Sequence, residues 1–153
     1  MREAEPQTID TAIASFLTSM AYLGVEVTEE ELRQKIGSNP AEMETLTNLA
    51  VQYSFKARRI VVTIEELRRI PVPAIARLND GTYVTVGWND ANNVFLADPL
   101  QARPYAQPLK EFAARWTGEL LVFTSGFDWR RIVKKYNLEW FFAIIRRYKS
   151  YWR

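Results

Sequence analysis

The sequence predicts an α+β domain, with helices in its first half and a mostly antiparallel sheet after them. Three observations carry that prediction. Apolar residues recur at helical spacing as far as Tyr53, and from Ser54 onward they fall in short runs of strand length. Asp80-Gly81 and the stretch Asn89 to Asn93 then separate those runs as turns.

Thr8 to Leu23 reads as the first helix, because Ile9, Ile13, Phe16, Leu17, Met20 and Ala21 share one face; Gly24 is its stop. Thr28 with Glu31 forms a capping-box pattern for a short helix through Leu32 and Ile36, ended by Gly37. Asn39 followed by Pro40 signals a third start, with Met43, Leu46, Leu49, Ala50 and Tyr53 as the buried stripe. Ser54 to Val62 is expected as a strand with a basic outer side of Lys56, Arg58 and Arg59. Thr63 and Glu66 cap one more short helix, which ends at Ile70-Pro71-Val72-Pro73 and leads into a strand over Ala74 to Leu78. Asp80-Gly81 makes a two-residue hairpin turn, since those residues tolerate positive φ. Asn89 to Asn93 is a looser turn, and Val94 to Ala97 runs back. A loop with Pro104 and Pro108 precedes a helix from Pro108 to Trp116, closed by Thr117-Gly118. Glu119 to Thr124 is the last core strand, and Ser125-Gly126 breaks the pattern.

The chain of 153 residues can bury a core without staples. It has no cysteine and no histidine. That excludes disulfides, thiolate zinc sites, Cys-His and Ser-His-Asp chemistry, and the commonest general base. No cofactor and no metal are expected. The net charge of +2 conceals an asymmetry: residues 127–153 hold eight basic residues against Asp128 and Glu139, so they carry +6 and the rest −4. The domain is accordingly expected over residues 1–126, with a basic aromatic segment over 127–153. No apolar run reaches the ~20 residues of a spanning helix, and MREAEPQ lacks the apolar core of a secretory signal.

Several local strings, in order, resemble one family. Asp10-Thr11-Ala12, Ala14 and Tyr22-Leu23-Gly24 stand in register with a pattern that runs Asp-Cys-Gly, a small residue, then Tyr-x-Gly. VTEEELRQKIG, TLTNLAVQYSFKAR, IPVPAIARL, Asp98-Pro99 and LKEFAARWTGELL follow at compatible spacings. Together they resemble the C39 peptidase domain at the N-terminus of bacterial ABC exporters, over residues of about 7–124. The resemblance implies a papain-like fold in which a catalytic His opens one strand and a catalytic Asp closes the next. Here Thr11 stands at the nucleophile position, Tyr83 at the base position and Ala12 after the nucleophile; Asp98 is retained. Gln7 lies too close to Thr11 to carry over the family's oxyanion donor. The pattern resembles the degenerate C39-like domain of type I exporters of RTX-type toxins and adhesins, which implies no catalysis and engagement of an unfolded secretion substrate. The implied setting is the cytoplasmic side of the bacterial inner membrane, as part of an ABC exporter.

Thr11, Tyr83 and Asp98 are expected together at one end of a cleft between the first helix and the sheet. Each has a plainer reading: Thr11 a helix cap, Tyr83 an ordinary strand aromatic, Asp98 a turn cap. Trp88 reads as core ahead of an exposed anchor. Lys56, Arg58 and Arg59 read as a solvated face or as an attractor of an acidic client. Two further functions are open: an active peptidase with an atypical nucleophile, and a nucleic-acid module using the basic aromatic tail. Nucleic acid is not the expected partner.

From Asn137 the tail can run as one helix without Gly or Pro. Trp140, Phe141, Ile144, Ile145, Tyr148, Tyr151 and Trp152 fall on one side and Arg146, Arg147, Lys149 and Arg153 on the other. Such a helix is expected either to pack on the domain or to lie at a membrane interface, rings at headgroup depth. It also resembles the elbow helix that leads into the first span of ABC exporters.

Overall fold

The computed structural model describes residues 10–124. The first helix, α1 (Thr11–Tyr22), begins at Thr11 rather than at the expected Thr8. Asp10 is extended there, and its Oδ1 accepts from the amides of Ala12 and Ile13, both at 3.1 Å, satisfying the helix's first donors. In α2 (Glu29–Ile36) the Thr28 hydroxyl accepts from the Glu31 amide, with acidic residues in the first turn and Arg33 and Lys35 in the last. The third helix, α3 (Met43–Gln52), starts later than Asn39-Pro40 suggests. The Asn39 side chain instead donates to the Ile36 carbonyl at 3.0 Å, so it closes α2 rather than opening α3.

Six strands follow: β1 (Lys56–Val61), β2 (Ala74–Leu78), β3 (Tyr83–Asn89), β4 (Asn93–Ala97), β5 (Tyr105–Pro108) and β6 (Trp116–Thr124). They form one sheet in the order β1-β6-β2-β3-β4-β5, every pairing antiparallel. Between β1 and β2 the Thr63 hydroxyl and the Glu66 carboxylate cap each other's backbone amides, opening the expected short turn of helix as a 3-10 turn over Glu66–Arg69. The last helix, α4 (Leu109–Arg115), runs directly into β6.

Both faces of the sheet are covered, which is why its central strands read as near-continuous apolar runs. Neighbouring residues go to opposite cores by the pleat. Ile75, Tyr83, Leu121 and Phe123 pack with Phe16, Met20, Leu32 and Leu46 beneath α1, α2 and α3. Ala76, Val84, Leu120 and Val122 pack on the other face with Leu67, Leu96, Phe112 and Trp116. Each fully buried Leu, Ile or Phe contributes about 1.5–3 kcal/mol, so the α+β architecture is held from two sides.

The structure corrects several local expectations. The β2–β3 connection is longer than two residues: Leu78 donates to Thr82, only Gly81 takes positive φ (+87°), and Asp80 Oδ1 accepts from the amide and hydroxyl of Thr82. The expected loop around Pro104 and Pro108 contains β5, an edge strand whose end position tolerates proline. Thr117-Gly118 is not a break but part of β6. Gly118 (φ +92°) lets that strand approach Val62, whose carbonyl oxygen would lie 3.2 Å from an added Cβ. Arg58 and Arg59 do not share one basic face, because consecutive strand residues point to opposite sides.

Candidate functional site

The N-terminus of α1 meets the first residue of β3. Thr11, buried at the helix start, accepts through Oγ1 from the Tyr83 amide at 3.0 Å. One turn along, the buried Thr85 hydroxyl donates to the Ser15 carbonyl at 3.0 Å. These two bonds fix α1 against β3, with the chains running in the same direction. Neither Ser15 nor Thr85 stands out in the sequence: a lone polar residue on an otherwise apolar face is the only signal of either.

Tyr83 is 6% exposed and packs in the core beneath the helices. Burial pushes its phenol above the ordinary value; Arg77 opposes that shift, Glu119 and Glu42 add to it, and the Met43 amide opposes it. The group is therefore a neutral phenol at neutral pH and no substitute for an imidazole base. Thr11 lies beside a backbone amide and has no base to take its proton. The two vacated positions are in contact but closed over.

Asp98 is also buried, and its carboxylate is committed elsewhere. Oδ1 accepts from the Leu100 amide at 2.9 Å, an Asx turn at the Asp-Pro corner, and Oδ2 meets Arg115 at 3.3 Å. Arg115 also donates to the Tyr105 hydroxyl and to Gln107. Burial works against its charge, but Tyr105 and Asp98 outweigh burial and hold the guanidinium above its ordinary value. The structure thus brings Thr11 and Tyr83 together, while the Asp98 carboxylate is held by a residue of α4. That partner was not legible as such in the LKEFAARWTGELL string.

The remaining candidates scatter. Trp88 is not core, contrary to expectation: it is 54% exposed and stacks on Phe95, with ring centroids 6.1 Å apart and planes 5° from parallel. The pairing of β3 with β4 shifts between Val86 and Asn89, and this bulge carries Trp88 out of the alternation. Lys56 is exposed and Arg58 half-buried. Arg59 pairs with Glu119 at 2.7 Å, and Arg77 reaches the same carboxylate at 3.5 Å. A cavity of about 410 Å³ between α2 and α3 is lined largely by polar residues, among them Lys35, Asn39, Glu42, Thr45 and Asn48. Among the described residues no group of three or more acidic, His or Cys side chains could hold a metal, and no helix is long and apolar enough to cross a membrane. Trp140, Phe141, Ile144, Arg146, Arg147, Tyr148, Lys149 and Trp152 lie outside the described residues.

A helix N-terminus that presents the nucleophile position to the first residue of a central antiparallel strand defines a papain-like domain. The chain matches the Peptidase C39 family over residues 3–128 and belongs to that family. It is 26% identical over 145 residues to the cyclolysin secretion/processing ATP-binding protein CyaB of Bordetella pertussis, covering 92% of this chain and 20% of that protein. It is 23% identical over 145 residues to the alpha-hemolysin translocation ATP-binding protein HlyB of Escherichia coli, with the same coverage of 92% and 20%. The chain thus spans about a fifth of the length of these relatives. Among solved structures, the fold is shared with a double glycine motif protease from an AMS/PCAT transporter in complex with its leader peptide (TM-score 0.70, 21% identity, 78% of this chain and 86% of that one). It is shared also with the N-terminal peptidase C39 like domain of a toxin secretion ATP-binding protein from Vibrio parahaemolyticus (TM-score 0.66, 17% identity, 77% and 98%).

Proposed function

We propose that this domain is a non-catalytic peptidase-like module of a type I secretion ABC exporter, and that it engages the unfolded, RTX-type protein substrate on the cytoplasmic side of the inner membrane. The observation that carries the reading is the vacated site. Thr11 stands where the nucleophile would be and is tied to the Tyr83 amide, Tyr83 stands where the base would be, and the chain has no Cys or His to replace either. Hydrolysis through a family-type dyad has neither a thiolate nor an acceptor for its proton. The toxin-secretion names of the relatives support the client class, and the leader-peptide complex supports peptide engagement by this fold. The rest of the exporter is the proposed partner of this domain, joined through the segment over 127–153.

The test is incubation of the protein with a double-glycine leader peptide, read by mass spectrometry, beside equilibrium binding of an unfolded RTX segment. Binding without cleavage is expected. Turnover by the unmodified protein would overturn the non-catalytic reading in favour of a peptidase with an atypical nucleophile.

A further inference from the structure

We infer that the client is taken on an aromatic face at the far end of α1, formed by Trp88, Phe95 and Tyr22, and not at the vacated positions. This rests on the reading of the domain as a client-binding module. The occupant is an extended, unfolded polypeptide segment that places an aromatic or aliphatic side chain against the open face of Trp88.

Thr11, Tyr83 and Asp98 are buried and already bonded, so they have little to offer a peptide without unpacking the core. Trp88 and Tyr22 are two of the large apolar side chains left exposed, at 54% and 60%. Trp88 is held flat by its stack on Phe95. That geometry needs Gly87, where an added Cβ would lie 3.3 Å from Phe95 Cδ1. The next turn is fixed by Asp90, which accepts from the Asn92 and Asn93 amides at 2.8 Å each. The indole is thus presented on a preformed corner, which lowers the ordering cost of binding.

The bonds of Thr11 to Tyr83 and of Ser15 to Thr85 set α1 parallel to β3. Eleven helical residues from Thr11 to Tyr22 advance about 16 Å, and five strand residues from Tyr83 to Trp88 advance about the same. Tyr22 and Trp88 therefore lie at one level, at the opposite end from the vacated site. The helices of that face lie over β1, β6, β2 and β3, and Phe95 of β4 is left half-buried.

The setting selects the occupant. Three rings expose a few hundred Å² at most, at about 150–250 Å² per aromatic when fully free, short of the ~800 Å² per partner of a stable folded interface. The flank over Asn89, Asp90, Asn92 and Asn93 contains no cation, which disfavours anionic headgroups. An isolated apolar side chain on a flexible, polar chain fits both limits. Glycine-rich nonapeptide repeats, with one recurring apolar position each, have that character.

The probe is a synthetic peptide of two such repeats with phenylalanine at the apolar positions, kept unfolded with a calcium chelator, and its twin with serine there. Affinities for the full chain are read by calorimetry. The phenylalanine peptide should bind about tenfold tighter than the serine twin, and Trp88→Ala should erase that difference, while Trp88→Phe keeps most of it. Val51→Ser, at an exposed apolar site on α3, should match the parent. Thermal melts establish that each variant is folded. If the parent binds and Trp88→Ala binds equally well, the client uses another surface and this proposal falls while the client-binding reading stands. If the parent binds neither peptide, both fall. Binding to anionic vesicles that Trp88→Ala abolishes would make this a lipid face and overturn the proposal.

Discussion

Replacing Asp98 by alanine should cost folding stability, because in this structure the residue is an anchor. Its carboxylate is 6% exposed and holds two partners, the Leu100 amide and Arg115. Losing one partner of a buried ion pair costs about 3–5 kcal/mol. Arg115, however, is 33% exposed and keeps Tyr105 and Gln107, so solvent and other acceptors compensate much of its loss. About 1 kcal/mol for the pair and about 1 kcal/mol for the orphaned Leu100 amide give roughly 2 kcal/mol in all. A domain of this size moves its melting temperature by about 4 °C per kcal/mol, so Asp98→Ala should melt about 8 °C lower. Asp98→Asn keeps an acceptor for Leu100 and should lose about half as much. The assay is thermal unfolding at neutral pH beside client binding at a temperature where all variants are folded. An Asp98→Ala protein that melts with the parent would refute the reasoning. So would an Asp98→Asn protein of normal stability that no longer binds client, since the carboxylate would then be a binding group.

Thr11→Val should destabilise by about 1–3 kcal/mol, because it strips the buried Tyr83 amide of its acceptor; Thr11→Ser should retain most of the stability, and an unshifted denaturant midpoint for Thr11→Val would contradict this role. The amides of Asn92 and Asn93 hold the Asp90 carboxylate below the usual range. The stabilisation from that turn is complete above the unfolded-state value of about 3.9 and is lost as pH falls through the lower folded-state value. The melting-temperature gap between the parent and Asp90→Asn should therefore narrow only at strongly acid pH; a gap that widened there would have the wrong sign. Co-sedimentation should show the full chain, but not one ending at Gly126, on anionic vesicles and less so at high salt. Equal pelleting of both would make the segment over 127–153 a packing or partner-binding element.

The sequence by itself determined the class and order of the elements, because these rest on local physics. Helical spacing in Ile13, Phe16 and Met20, the Thr28 and Thr63 caps and the turn at Gly81 each depend on a few neighbouring residues. It also determined that a Cys-His mechanism is absent, since composition alone settles that. Where Asn39 turned back to cap α2, or where Gly118 stayed inside β6, the deciding partner lay outside the window that a local pattern spans. Only the tertiary structure decided what the retained and vacated positions do. Thr11 and Tyr83 are 72 positions apart, and their bond exists because α1 lies along β3. Asp98 could have faced the old site or α4, and Arg115 supplied the charge that settles its direction. Trp88 looks like core in any alternating strand; a one-residue bulge against β4 placed it outside, and registers of that kind are set by pairing across the sheet.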